Sequence, residues 1–289
     1  MRKLIFGSLS MLLLCCAAAA NLQAQTPAAQ PLTFYYDYRV NPGKEAEFMT
    51  LVNTVGAPVR DKLMADGVIA AWGIETPVLR YPGGTTHLIW FAVENYEGLE
   101  KVLSAMEARL ASLAVDDAKA GEAARARRQP PPLTTAERQQ QVFDMSKTRD
   151  WLTRDLVSGY GQPPAAGTLP FTRYNFVKVK PGKGAEYRRV WEKYNKPVFD
   201  KLVADGSVIA YGMAVEDVKT DGEFTHFIWI ATPNMSGGDK VASAFNADRA
   251  RRTEEERDAI AEAFNSVLEA DKARSMITRS RIFKVRDMK

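Results

Sequence analysis

The feature that most constrains the fold of this chain is that the sequence is written twice. Shifted by 139 positions, Pro42-Gly43-Lys44 lands on Pro181-Gly182-Lys183 and Asp61-Lys62-Leu63 on Asp200-Lys201-Leu202. Ala65-Asp66-Gly67 lands on Ala204-Asp205-Gly206, Thr86-His87 on Thr225-His226, and Ile89-Trp90 on Ile228-Trp229. The match runs without a gap from Tyr35 to Ala92, and 23 of those 58 positions are identical. Self-similarity at a fixed offset is the mark of repeated structural units. Further on the register slips but the order persists: Thr134-x-x-Glu137 resembles Thr253-x-x-Glu256, and Leu152-Thr153-Arg154 resembles Ile277-Thr278-Arg279. The Gly-, Pro- and Ala-rich stretch 158–170 reads as a linker. It separates a first repeat, 31–157, from a second, 171–289. Gln129 to Pro132 has no counterpart in the second copy and reads as a loop insertion.

Each copy spells the same order of elements. A strand (34–40 or 173–179) runs into a Pro-Gly turn that opens a long helix (44–65 or 183–204). Phe48, Leu51, Val52 and Val55 recur at helical spacing, as do Tyr187, Val190, Trp191 and Tyr194. Asp-Gly then stops the helix, because glycine accepts the left-handed conformation of the cap. Two strands follow, then a helical region whose Thr134/Glu137 and Thr253/Glu256 pairs read as capping boxes. Pro58 and Pro197 should kink the first helix of each copy. A last strand closes each copy, giving the order βαββαβ, a ferredoxin-like arrangement.

One such unit has helices on only one face of its sheet, so its strands should alternate. Val68–Trp72, Leu88–Val93, Val208–Tyr211 and Phe227–Ala231 are instead nearly continuous apolar runs, the pattern of strands buried on both faces. The other copy is the obvious cover. The fold class expected is therefore α+β, with two ferredoxin-like repeats packed sheet to sheet as a pseudo-two-fold barrel. The βαββαβ repeat, the Pro-Gly-Lys turn and the buried second face resemble the dimeric α+β-barrel superfamily, which includes NIPSNAP-like, antibiotic-biosynthesis-monooxygenase-like and muconolactone-isomerase-like proteins. In this chain the usual dimer is expected as a tandem fusion. The resemblance supplies no catalytic signature. Its haem-binding members need an axial histidine on a helix, and neither histidine here falls on one, so no cofactor is expected.

Residues 1–24 read as a secretory signal. Arg2 and Lys3 precede an apolar run from Leu4 to Ala20, and cleavage is expected after Ala24 or Ala20. That run is shorter than a spanning helix requires and carries Gly7, Ser8 and Ser10, and Leu14 before Cys15 does not suit lipoprotein processing. The expected location is secreted or periplasmic. Both cysteines, Cys15 and Cys16, lie in this segment, so disulfides, thiol catalysis and cysteine-ligated metal drop out of the mature chain together. The full chain carries a net charge of +4, too small and scattered for a nucleic-acid binder.

His87 and His226 are the only histidines, and each begins the third strand of its copy after a threonine. They are the candidate proton carriers. The plain alternative is a strand-end histidine bonded to a neighbouring group. One histidine per copy without cysteine falls short of the usual zinc set, so no metal is expected. Asp37, Arg39, Arg154 and Arg279 are charges on strands that otherwise head for a core, and they are candidates to hold an anionic or carbonyl ligand. Trp90, Trp229 and Tyr211 are candidates to line an apolar pocket with polar tips. The function expected is binding of a small, partly apolar molecule between the two sheets, by a monomeric pseudo-dimer or weak homo-oligomer, with no nucleic-acid partner and no membrane contact after cleavage. The alternatives are a cofactor-independent isomerase or monooxygenase using His87 and His226, and a stress-related or interaction module without a pocket.

Overall fold

The computed structural model describes residues 30–80, 83–162, 164–165, 167–219 and 224–286. The expected signal segment, 1–24, lies outside them. Eight strands alternate with helices in the anticipated order. The first half carries β1 (Leu32–Tyr38), α1 (Glu45–Leu51), a π-helical segment (Val52–Gly56), α2 (Ala57–Ala65), β2 (Ile69–Pro77) and β3 (His87–Val93). It continues with α3 (Tyr96–Ala126), α4 (Thr135–Val142) and β4 (Arg149–Tyr160). The second half carries β5 (Phe171–Val177), α5 (Gly184–Tyr194), α6 (Lys196–Ala204), β6 (Ala210–Glu216) and β7 (His226–Thr232). It ends with α7 (Ser236–Ala250), α8 (Glu254–Val267) and β8 (Arg274–Val285). No helix among the described residues is long and apolar enough to cross a membrane.

The strands form one closed barrel in the order β1-β3-β2-β8-β5-β7-β6-β4. The strands expected as two sheets packed face to face join at their edges into one closed sheet. β2 pairs antiparallel with β8, and β4 with β6. Closure leaves no row of unpaired backbone groups. It also explains why β4 runs on to Tyr160, three residues into the expected linker: Ser158, Gly159 and Tyr160 pair with Gly212, Tyr211 and Ala210. Each of these two seams carries a register shift, between Asp155 and Val157 and between Ile74 and Glu75.

The first helix of each half breaks at its proline, in two ways. Pro58 and Pro197 sit in the first turn of α2 and α6, where the missing N–H costs nothing. Ahead of Pro58 the chain takes a π-helical step, whereas ahead of Pro197 two α-helices meet at Asn195. Gly67 and Gly206 end these helices with φ of +82° and +75°. Both capping boxes form, with Glu137 and Glu256 accepting from the backbone N–H of Thr134 and Thr253. Helices cover the outer face of the barrel. In the first half Phe48, Leu51 and Val55 pack against Trp72, Ile89 and Phe91; in the second, Tyr187, Trp191 and Phe199 pack against Tyr211, Met213 and Ile230. Burying each such side chain contributes roughly 1.5–3 kcal/mol.

Candidate functional site

The two histidines open β3 and β7 on the outer, helix-covered face. His87 is 3% exposed and its ring lies 4.5 Å from that of Phe48; the His226 ring lies 5.4 Å from that of Tyr187. Each places Nδ1 beside the hydroxyl of the preceding threonine, Thr86 at 3.3 Å and Thr225 at 3.0 Å. Those hydroxyls also accept the backbone N–H of Val40 and Val179, so they tie the strand start to the end of the neighbouring segment. Burial pushes both imidazoles down to about 4. They are neutral near pH 7, and no carboxylate is within ion-pairing distance of either among the described residues.

The barrel interior holds what the sequence reading passed over. Alternate residues of all eight strands point inward, and the apolar ones cluster around Tyr35, Leu88, Trp151, Tyr174, Phe176, Phe224 and Phe227. Two of the buried acids, Glu75 and Asp155, lie one at each seam. Glu75 of β2 lies opposite Ser280 of β8, and Asp155 of β4 lies opposite Ala214 of β6. Trp90 donates its indole N–H to Glu75 at 3.0 Å, and Trp229 donates to Asp155 at 3.3 Å. Glu75 accepts three further bonds, from Thr172 (3.2 Å), Tyr174 (3.0 Å) and Thr278. Burial raises the Glu75 carboxyl against the pull of these donors. Burial also raises Asp155, opposed only by Trp229, to about 7. The indoles reach these acids by crossing a glycine. A Cβ at Gly73 would come within 2.9 Å of Trp90, and one at Gly212 within 2.5 Å of Trp229.

The remaining sequence candidates are dispersed. Asp37 is buried inside the barrel, where it ion-pairs with Arg39 and accepts from Thr85 at 3.2 Å. Its counterparts show a paired exchange: Asp37 and Thr85 in the first half become Phe176 and Phe224 in the second, with ring centres 4.9 Å apart. Arg154 bonds Asp217 at 2.7 and 3.3 Å on the outer rim, with Tyr96 against both. Tyr211 is fully buried on the outer face, bonded to Asp200 and stacked on Phe199 at 5.0 Å. Arg279 is exposed, 5.7 Å over the ring of Phe171. The structure therefore brings Trp90 and Trp229 to buried acids, and leaves His87, His226, Arg154 and the Asp37–Arg39 pair in separate places.

The space between the sheets, expected to take the ligand, is filled by the interior aromatic cluster; a cavity of about 520 Å³ opens instead on the outer face of the second half, between β5, β7 and helices α5, α6 and α7. Its walls are mostly apolar: Phe171, Trp191, Phe199, Ile228, Ile230, Val241, Phe245 and Ile277. Polar groups enter from Arg173, Asn175, Asn195, Thr232 and Asp239. Asn175 Oδ1 accepts from Arg173 at 3.1 Å and from Ser275 at 2.9 Å, which holds the guanidinium along the strand. Neither histidine lines the cavity, so its walls offer no imidazole to the iron of a haem. Among the described residues, no group of three or more His, Cys, Asp or Glu is placed to hold a metal ion.

No sequence family matches the chain, and no curated protein does. Solved structures do. A "putative monooxygenase" from Fusobacterium nucleatum superposes with a TM-score of 0.57 at 11% identity, over 89% of this chain and 95% of that one. A "putative monooxygenase" from Lactobacillus acidophilus gives a TM-score of 0.51 at 9% identity, over 89% and 97%. At such identities the likeness is one of fold. The chain has a mixed α+β fold with a closed eight-stranded barrel, and its structural neighbours are of the ferredoxin-like, dimeric α+β-barrel type.

Proposed function

We propose that this chain is an exported small-molecule-binding protein of the dimeric α+β-barrel type, built as two tandem ferredoxin-like repeats and taking its ligand in the second-half cavity. The observation that carries the reading is that cavity: about 520 Å³, apolar walls and a few polar groups at one side. Small-molecule sites commonly span about 300–1,000 Å³ with this kind of lining. The tandem reading draws on the gapless self-match and on the ladders, since β5 pairs with β7 in the register of β1 with β3, displaced by 139 residues. Each repeat supplies the wall the other lacks, so the chain closes its barrel as a monomer. Export draws on the character of residues 1–24.

A cofactor-independent isomerase or monooxygenase activity is the alternative, and the names of the two structural neighbours point to the monooxygenase. Two features weigh for binding over a histidine-based reaction. Both imidazoles are held near 4 by burial, and both stand outside the cavity. Native mass spectrometry of the purified protein tests the reading against a filled variant, Asn175→Tyr with Ile230→Phe. The wild type should retain a bound non-peptide mass, or take up added apolar ring compounds, and the filled variant should do neither. Equal retention by the two proteins would refute the assignment.

A further inference from the structure

Because the ladders of the two halves share one register, their residues correspond one to one. The second-half cavity is lined in part by Arg173, Asn175, Phe199 and Ile230. Their counterparts 139 residues earlier are Phe34, Tyr36, Arg60 and Phe91. In the first half these four side chains occupy the matching space. Phe34 lies 4.8 Å from Tyr36 and stacks on Phe91 at 5.5 Å, and the guanidinium of Arg60 sits 6.0 Å from the centre of the Tyr36 ring.

Arg60 is an unusual filler. It is 3% exposed, and its Nε is buried with no hydrogen-bond partner. It makes no ion pair among the described residues; the faces of Tyr36 and, at 5.8 Å, Trp72 are its main company. It folds back beneath its own helix at the π-helical step, into the space left by the missing side chain of Gly56. A Cβ at Gly56 would come within 2.3 Å of Arg60 Nη1. Ring faces offset part of the cost of burying a guanidinium, but a well-packed apolar side chain would fill the space without that cost.

We propose that the first half contains a latent copy of the ligand cavity, closed from within by Arg60, so that the chain takes one apolar ligand instead of two. The inference rests on the second-half cavity being a ligand site, but its test is a difference in probe number and does not depend on that count. Anilinonaphthalene sulfonate is titrated into wild-type protein and two opened variants, and bound probe is counted by equilibrium dialysis. The first variant is Arg60→Ala. The second gives the first half the lining of the second: Phe34→Arg, Tyr36→Asn, Arg60→Phe and Phe91→Ile. It keeps the inference testable if Arg60→Ala does not fold. Near-UV circular dichroism identifies the natively folded proteins. Each folded opened variant should bind one more probe than the wild type, whereas Arg60→Met, which refills the space, should bind no more. Folded opened variants with the wild-type number would overturn the inference, as would an extra probe on Arg60→Met. A wild type that binds no probe would instead refute the reading of the second-half cavity.

Discussion

Asp155 offers the sharpest test of the barrel interior. Its carboxyl is buried beside Tyr35, with the indole of Trp229 as its one donor, and burial lifts it from an ordinary 3.8 to about 7. The folded protein therefore holds this proton more tightly than the unfolded chain does. The resulting stability is fully present below about pH 4, declines as pH rises and is gone above about pH 7. At 1.36 kcal/mol per unit, the whole effect is about 4 kcal/mol, an upper bound. Asp155→Asn keeps an oxygen for Trp229 and cannot ionise. Urea unfolding followed by tryptophan fluorescence, on wild type and variant from pH 4 to 8, isolates the residue, because other titrating groups cancel in the difference. The variant should match the wild type near pH 4 and exceed it by a few kcal/mol at pH 8. A difference that does not vary with pH, or a variant less stable at pH 8, would refute this account of the interior.

The histidines titrate in the opposite sense. Each is lowered from 6.5 to about 4, so the stability tied to its neutral form is present above pH 6.5 and lost as pH falls toward 4, by at most about 3 kcal/mol per residue. His87→Phe with His226→Phe should flatten that acid-side loss in the same urea series; an unchanged slope would contradict the burial of the imidazoles. Glu75→Leu strands the donors of Trp90, Thr172, Tyr174 and Thr278 and should cost about 3–5 kcal/mol in thermal unfolding, and Glu75→Gln less. Equal melting temperatures for Glu75→Leu and wild type would show that the four bonds carry no net stability.

Much of the fold was legible because its signals are local. The Asp-Gly stops, the capping boxes and the Pro58 and Pro197 breaks each follow from a few neighbouring residues, the repeat stands out at one fixed offset, and the continuous apolar strands called for a cover on the second face. The interior was not legible. Glu75 ends an otherwise apolar run and Asp155 stands in a strand of mixed character, and nothing nearby in sequence shows that Trp90 is the donor to one and Trp229 to the other. Asp155 also follows Arg154, a sequence candidate for the ligand, which the fold instead pairs with Asp217 on the outer rim. The exchange of Asp37 and Thr85 for Phe176 and Phe224 is present in the sequence, but it becomes a contact only once β1 and the segment before β3 are brought together. The cavity was the least legible feature, because it arises from side chains that are smaller or differently directed in one half. Arg173, Asn175 and Ile230 signal it only when set beside the Phe34, Tyr36 and Phe91 that fill the other half.

In the proposed function one half of the barrel receives a ligand and the other is filled by its own side chains. A crystal structure of the wild-type protein grown with anilinonaphthalene sulfonate tests it most directly. Probe density is expected between Phe171, Trp191 and Phe245, with Arg60 still lodged against Tyr36 and Trp72. Probe beside Arg60, or a second-half cavity closed by its own side chains and empty of probe, would contradict it.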